Sequence, residues 1–137
     1  MRTKRPILLA EDDPVDQETV RRALKEMKVM NRLDVAGNGE EALKHLRDKK
    51  NEKPCVILLD LKMPRMDGIE FLKVVRQDEK LKILPVVVLT TSKEERDKVE
   101  SFCLGVAGYM VKPVDYQQFV EAIKTIDLYW TLSELPD

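Results

Sequence analysis

Histidine is almost missing from this chain: His45 is the single one among 137 residues. Cysteine is nearly as scarce, with Cys55 and Cys103 far apart and no CxxC spacing. Together these shortages exclude a disulfide framework and a zinc centre, which need clustered thiolates and imidazoles. Both cysteines read as small buried hydrophobes. An excess of either charge is also lacking: 24 Lys+Arg stand against 25 Asp+Glu, for a net charge of −1. No broad basic field draws the chain to nucleic acid. Long apolar runs are absent too. Val56 to Leu59 and Val86 to Leu89 fall far below the ~20 residues of a membrane span, and Met1-Arg2-Thr3-Lys4-Arg5 precedes too short an apolar stretch for a signal peptide. The expectation is a soluble cytoplasmic protein with neither a nucleic-acid nor a membrane partner.

Hydrophobic residues make up 43% and charged residues 36% of the chain, enough apolar matter for a core. The length fits one domain over residues 1–137, with no linker or repeat. Five short runs rich in β-branched residues read as strands: Ile7 to Ala10, Leu33 to Ala36, Cys55 to Leu59, Val86 to Leu89 and Ala107 to Val111. Helical periodicity fills the intervals. Val20, Ala23, Leu24 and Met27 follow Asp13-Pro14. Ala42, Leu43 and Leu46 follow Asn38-Gly39, and Ile69, Leu72 and Val75, widened by Phe71 and Val74, follow Asp67-Gly68. Val99, Phe102 and Cys103 stand behind a Ser92/Glu95 capping box, and Phe119, Ala122, Ile123 and Ile126 behind Asp115. Strict alternation of strand and helix predicts an α/β fold, a doubly wound five-stranded parallel sheet with helices on both faces. The alternating Leu33-Asp34-Val35 marks an edge strand.

Ligands of open α/β sheets bind beyond the carboxyl ends of the strands. Those ends carry Glu11-Asp12-Asp13, Asp60, Thr90-Thr91 and Lys112-Pro113. With strand order 2-1-3-4-5 they form one pocket, and the bland turn Gly37-Asn38-Gly39 sits at the edge. Gathered carboxylates repel and call for a cation. Oxygen donors without His or Cys select Mg²⁺ or Mn²⁺. Such an ion beside a lysine and a threonine suits phosphoryl chemistry: Lys112 as a point charge, Thr90 as a hydroxyl donor and Asp60 as a carboxylate nucleophile.

These blocks, Ile7-Leu8-Leu9-Ala10-Glu11-Asp12-Asp13, Leu58-Leu59-Asp60-Leu61-Lys62-Met63-Pro64-Arg65-Met66-Asp67-Gly68, Leu84-Pro85-Val86-Val87-Val88-Leu89-Thr90-Thr91 and Gly108-Tyr109-Met110-Val111-Lys112-Pro113, run in one order along nearly the whole chain. They resemble the receiver domain of two-component response regulators, a flavodoxin-like fold. The resemblance implies that Asp60 accepts a phosphoryl group, that Asp12 binds Mg²⁺ directly and Glu11 through water, and that Lys62 offers its backbone carbonyl to the metal. It further implies that Thr90 senses the phosphoryl group, that Lys112 pairs with it ahead of a cis Lys112–Pro113 bond, and that Tyr109 is a switch aromatic. The output surface would be the fourth helix, fifth strand and fifth helix. Lys62 would place a second cation beside the site and alter dephosphorylation.

Thr91, the Lys112-Pro113-Val114-Asp115 run and the tail with Tyr129-Trp130 are similar to phytochrome-associated single-domain regulators. The apolar tail, residues 128–137, either packs on the last helix or completes a homodimer. His45 reads as solvated, so no histidine of this chain is a phosphodonor, and a sensor histidine kinase or phosphotransfer protein must supply the group. Met27, Met30 and Met63 suit core or pocket walls. The expected function is a stand-alone response regulator without an output domain, one that catalyses only its own phosphorylation and dephosphorylation. Two alternatives stand beside it. One is a Mg²⁺-dependent phosphohydrolase working through an aspartyl-phosphate, although Lys62 occupies the position where such enzymes place a second acid. The other is a receiver-like scaffold that is never phosphorylated. Singly, Asp12 or Asp13 would only cap a helix, Lys112 would be a solvated charge and Tyr109 a half-buried strand aromatic.

Overall fold

A run of four or five β-branched and leucine residues is too short for a stable helix and long enough to cross a sheet, and five such runs extend side by side. The computed structural model describes residues 5–26, 28–115, 117, 118, 120 and 121. Its strands are β1 (Ile7–Ala10), β2 (Leu33–Ala36), β3 (Val56–Asp60), β4 (Val86–Thr90) and β5 (Gly108–Val111). They pair in parallel in the order β2-β1-β3-β4-β5, the order under which the polar strand ends fall together. β3 and β4 each run one residue further than their apolar letters, taking in Asp60 and Thr90, because the ladder continues into the polar ends. β3 and β5 each begin one residue later than expected, at Val56 and Gly108.

The helices are α1 (Pro14–Glu26), α2 (Gly39–Arg47), α3 (Gly68–Gln77) and α4 (Lys93–Ser101). Alternate residues of each inner strand face opposite sides. Leu8, Ile57, Leu59, Val86 and Val88 pack with α2, α3 and α4, while Ile7, Leu9, Val56, Leu58, Val87 and Leu89 pack with Val20, Ala23 and Leu24 of α1. β1, β3 and β4 are buried along their whole length, which only a sheet covered on both faces allows. β2 is the edge that its alternation predicts.

Local signals set the helix starts. Asn38 caps α2 through the Glu41 amide, and Asp67 and Glu70 close a reciprocal capping box on α3. In α3 the buried face centres on Phe71, Leu72 and Val75, and Ile69 and Val74 lie at its margins. At α4 only half of the expected box forms. Ser92 accepts from the Glu95 amide, while the Glu95 carboxylate accepts from the Thr91 amide at 2.8 Å.

Phe102 and Cys103 do not continue the α4 stripe. The helix stops at Ser101, Cys103 takes a left-handed backbone (φ 53°) and is exposed, and the Phe102 ring meets Lys73 Nζ, 3.9 Å from its centroid. Of the two cysteines only Cys55 is buried. Met30 is also exposed rather than in a core wall, since it lies in the loop after α1, whereas Met63 is buried. His45 is not freely solvated. It packs beside the edge strand, with Nε2 3.3 Å from the Asp34 carboxylate and Nδ1 3.2 Å from the Asn51 amide.

Beyond β5, Asp115 accepts from the Gln118 amide, the cap expected there, and residues 117, 118, 120 and 121 are helical. The Gln118 side chain donates to the Val111 carbonyl at 2.8 Å and accepts from its amide. Met27, Phe119, Ala122, Ile123, Ile126 and the tail with Tyr129 and Trp130 lie outside the described residues. Among the described residues, no helix is long and apolar enough to cross a membrane.

Candidate functional site

Sheet register brings the candidate residues together. Ala10 pairs with Leu59, Asp60 with Leu89, and Thr90 with Val111. Glu11, Asp60, Thr90 and Lys112 therefore stand at one rim, each at or one residue past the end of its strand. The Glu11 amide donates to the Ala36 carbonyl at 2.9 Å, and the Lys112 amide to the Thr90 carbonyl at 2.8 Å, so both ladders hold one residue beyond the strands.

The turn after Asp60 is tight. A Cβ on Gly68 would lie 2.4 Å from the Asp60 carbonyl oxygen and 2.8 Å from Leu61 Cα. The Gly68 amide donates to the Leu61 carbonyl at 3.0 Å. The glycine of the Asp67-Gly68 pair is thus set by the close approach of α3 to the strand end that bears Asp60.

Lys112 Nζ occupies the centre, 2.9 Å from Glu11 Oε1, 2.9 Å from Asp60 Oδ1 and 3.0 Å from Asp16 Oδ2. Glu11 is fully buried, Asp60 nearly so, and the lysine side chain is 14% exposed. Burial by itself would lower the Lys112 ammonium, but Asp60, Glu11 and Asp16 outweigh it and hold the group above its ordinary value. Burial pushes the Glu11 carboxyl up to about 7, with the charge of Asp60 adding to the rise and Lys112 opposing it. The Lys112–Pro113 peptide bond is cis, as the resemblance implies.

Glu11 Oε1, although close to Lys112, is not aligned with a donor and is a buried oxygen without a hydrogen bond. Such an atom calls for another partner. Carboxylate oxygens of Glu11, Asp12 and Asp60 lie within 4.8 Å of one another, with Asp12 on the solvent side. The donor set is all oxygen and carries more negative charge than one lysine offsets, so these residues fit a hard divalent cation.

The other expected residues gather around this centre. Thr90 is buried at the end of β4. Tyr109, half-buried on β5, lines an open groove of about 620 Å³ with Thr90, Ser92, Arg96 and Val111. Arg96 lies over its ring, 4.6 Å from the centroid. Burial raises the Tyr109 phenol, and the charge of Glu100 adds to the rise. The Lys62 side chain has a partner that its position in the sequence did not show. It is 79% exposed and its Nζ is 3.3 Å from Glu95 Oε2, so its charge is paired on α4. Burial would raise Glu95, but the Thr91 amide and Lys62 outweigh it and hold the carboxyl below its usual range.

Asp16 is the residue that sequence reading missed. Its signal was present, a third acid in the run from Asp12 through Asp13 to the first turn of α1. Nothing in the spacing, however, shows that this acid meets a lysine 96 residues away.

Comparison with known proteins agrees with this fold. The response regulator receiver domain model matches residues 7–124. Over 128 residues the chain is 34% identical to response regulator Rcp1 of Synechocystis sp. (strain ATCC 27184 / PCC 6803 / Kazusa), covering 90% of this chain and 87% of that protein. The Mn(2+)-bound form of Rcp1 superposes with a TM-score of 0.73 over 92% of this chain and 94% of that one. The bacteriophytochrome response regulator RtBRR is 45% identical with a TM-score of 0.84, over 89% of this chain and 77% of that one. The phosphorylated cyanobacterial phytochrome response regulator RcpA is 34% identical with a TM-score of 0.74, over 94% and 95%. The similarity thus extends to the phytochrome-associated regulators. By its fold, its strand-end blocks and this match across most of its length, the chain belongs to the response regulator receiver domain family.

Proposed function

We propose that this receiver takes a phosphoryl group on Asp60 from a histidine kinase or phosphotransfer protein, in a Mg²⁺-dependent step, and switches a protein-binding surface. The observation that carries the reading is the convergence of buried Glu11, Asp60 and Lys112, with Asp12 on the solvent side, at one strand-end rim. That RcpA has been solved phosphorylated and Rcp1 with Mn(2+) supports it.

An Asp60 carboxylate oxygen bonds to phosphorus as the phosphorus–nitrogen bond of the donor phosphohistidine breaks. The electron pair leaves with the imidazole, which regains a proton from water. Lys112, already charged and desolvated, is placed to pair with a phosphoryl oxygen, and Thr90 to donate its hydroxyl to another. Mg²⁺ held by Glu11, Asp12 and Asp60, with the Lys62 backbone carbonyl, would neutralise charge on the phosphoryl oxygens.

The new acyl phosphate adds negative charge at the rim. Thr90 and Tyr109 line the same groove, and movement of the threonine toward the phosphoryl group opens space for the ring. The surface read by a partner is then α4, β5 and the helical segment after Asp115.

The test incubates the chain with Mg²⁺ and acetyl phosphate and follows intact mass. Expected is one acid-stable, base-labile adduct, lost in Asp60→Asn and in chelator. Rapid turnover of diverse phosphoesters would favour the hydrolase instead, and no adduct under any condition would leave the scaffold.

A further inference from the structure

We propose that Asp16 is a positioning residue for this chemistry, which holds the Lys112 ammonium against the phosphoryl-accepting carboxylate. The proposal rests on the reading of Asp60 as acceptor. Lys112 Nζ lies within 3.0 Å of three carboxylates, and Asp16 Oδ2, which accepts its hydrogen bond at 3.0 Å, is the one that reaches it from α1. Glu11 Oε1 receives no aligned donor. Of the three carboxylates around the ammonium, Asp16 is thus the one supplied by α1 rather than by a strand end.

Asp16 can do this because its backbone is anchored to the strand that bears Glu11. The Asp13 amide donates to Glu11 Oε2 at 3.2 Å, the Gln17 side chain to the Glu11 carbonyl at 2.7 Å, and the Val15 amide to Asp13 Oδ1 at 2.8 Å. Two of these contacts tie the start of α1 to the end of β1, and the third, from Val15 to Asp13, holds the first turn itself. A carboxylate at that position is favoured by the amino end of the helix.

The division of labour follows from charge. Glu11, Asp12 and Asp60 form the group whose oxygens lie within 4.8 Å of one another, and Asp16 stands outside it. A cation drawn to that group competes with Lys112 for Glu11 and Asp60. When Asp60 bonds to phosphorus, one of its oxygens ceases to be an anionic acceptor. Asp16 loses nothing in either event, so it keeps the ammonium at the rim while its other partners change. It touches neither the metal group nor the reacting oxygen and acts through Lys112.

The experiment measures the rate of adduct formation with acetyl phosphate at saturating Mg²⁺, and Mg²⁺ affinity by calorimetry, for the wild-type chain, Asp16→Ala, Asp16→Glu, Lys112→Ala and the Asp16→Ala/Lys112→Ala double variant. Loss of one hydrogen bond to a charged group slows Asp16→Ala about tenfold. Its Mg²⁺ affinity changes less than about threefold, Asp16→Glu restores most of the rate, and Asp16→Ala has no effect once Lys112 is absent. Asp16 is partly exposed, and an unchanged thermal midpoint for Asp16→Glu shows that the fold is kept. An unslowed Asp16→Ala, or the same slowing with and without Lys112, overturns the proposal while the wild-type adduct leaves the Asp60 reading standing. A wild-type chain that forms no adduct and binds no Mg²⁺ overturns both.

Discussion

Replacing Glu11 with glutamine should stabilise the metal-free protein, and increasingly so as the pH rises. The carboxyl is fully buried, and burial carries it from its usual 4.5 to about 7. Between those values the folded state keeps a proton that the unfolded chain has released, so stability falls with rising pH. The contribution of the protonated group is complete below 4.5 and is lost as pH passes through 7. At about 1.4 kcal/mol per pH unit between the two values, the full penalty is roughly 3–4 kcal/mol, most of which develops between pH 5 and pH 8. Glutamine has the shape of the neutral acid and cannot ionise. In chelator, urea unfolding of wild type and Glu11→Gln should give nearly equal free energies at pH 5 and a variant more stable by about 2–3 kcal/mol at pH 8. Added Mg²⁺ should narrow the gap, because an ion at a hundredfold its dissociation constant stabilises the wild type by about 2.7 kcal/mol. A difference that is flat with pH, or a wild type that gains on the variant toward pH 8, would refute the reasoning.

Gly68→Ala sets a methyl group 2.4 Å from the Asp60 carbonyl oxygen, so the turn must shift. The expected cost is about 1–3 kcal/mol by denaturant unfolding, together with slower adduct formation at Asp60. Arg76 ties α3 to two loops, through the carbonyls of Leu104 (2.6 Å), Lys82 (3.0 Å), Leu84 (3.2 Å) and Gly105 (3.1 Å). Arg76→Lys keeps the charge but not the planar fork, and should cost about 1–3 kcal/mol, with faster amide exchange in residues 102–107.

Periodicity told helix from strand, and the polar letters at the strand ends suited the order 2-1-3-4-5, which puts Glu11, Asp60, Thr90 and Lys112 side by side. Both signals are local or combine a few local ones. Errors arose where a side chain had a choice of partner. Glu95 could cap its own helix at Ser92 or bond Thr91 and Lys62, and it does the latter. Phe102 and Cys103 kept helical spacing past Ser101, and no letter signals that the helix has ended. The partner of Lys62, Glu95 on α4, could not be read from the spacing of the two residues. Asp16 was invisible for the same reason: a contact between α1 and the end of β5 is a property of the packed fold, not of spacing along the chain.

The carboxamide of Gln118 leaves a mark on how copies of this molecule meet. It satisfies both backbone groups of Val111, on a strand paired with β4 alone among the described strands. In doing so it stands in for one residue of a missing neighbour. A foreign segment cannot extend the sheet there without first displacing it, so this margin is guarded against strand addition and the fibrillar association that follows from it.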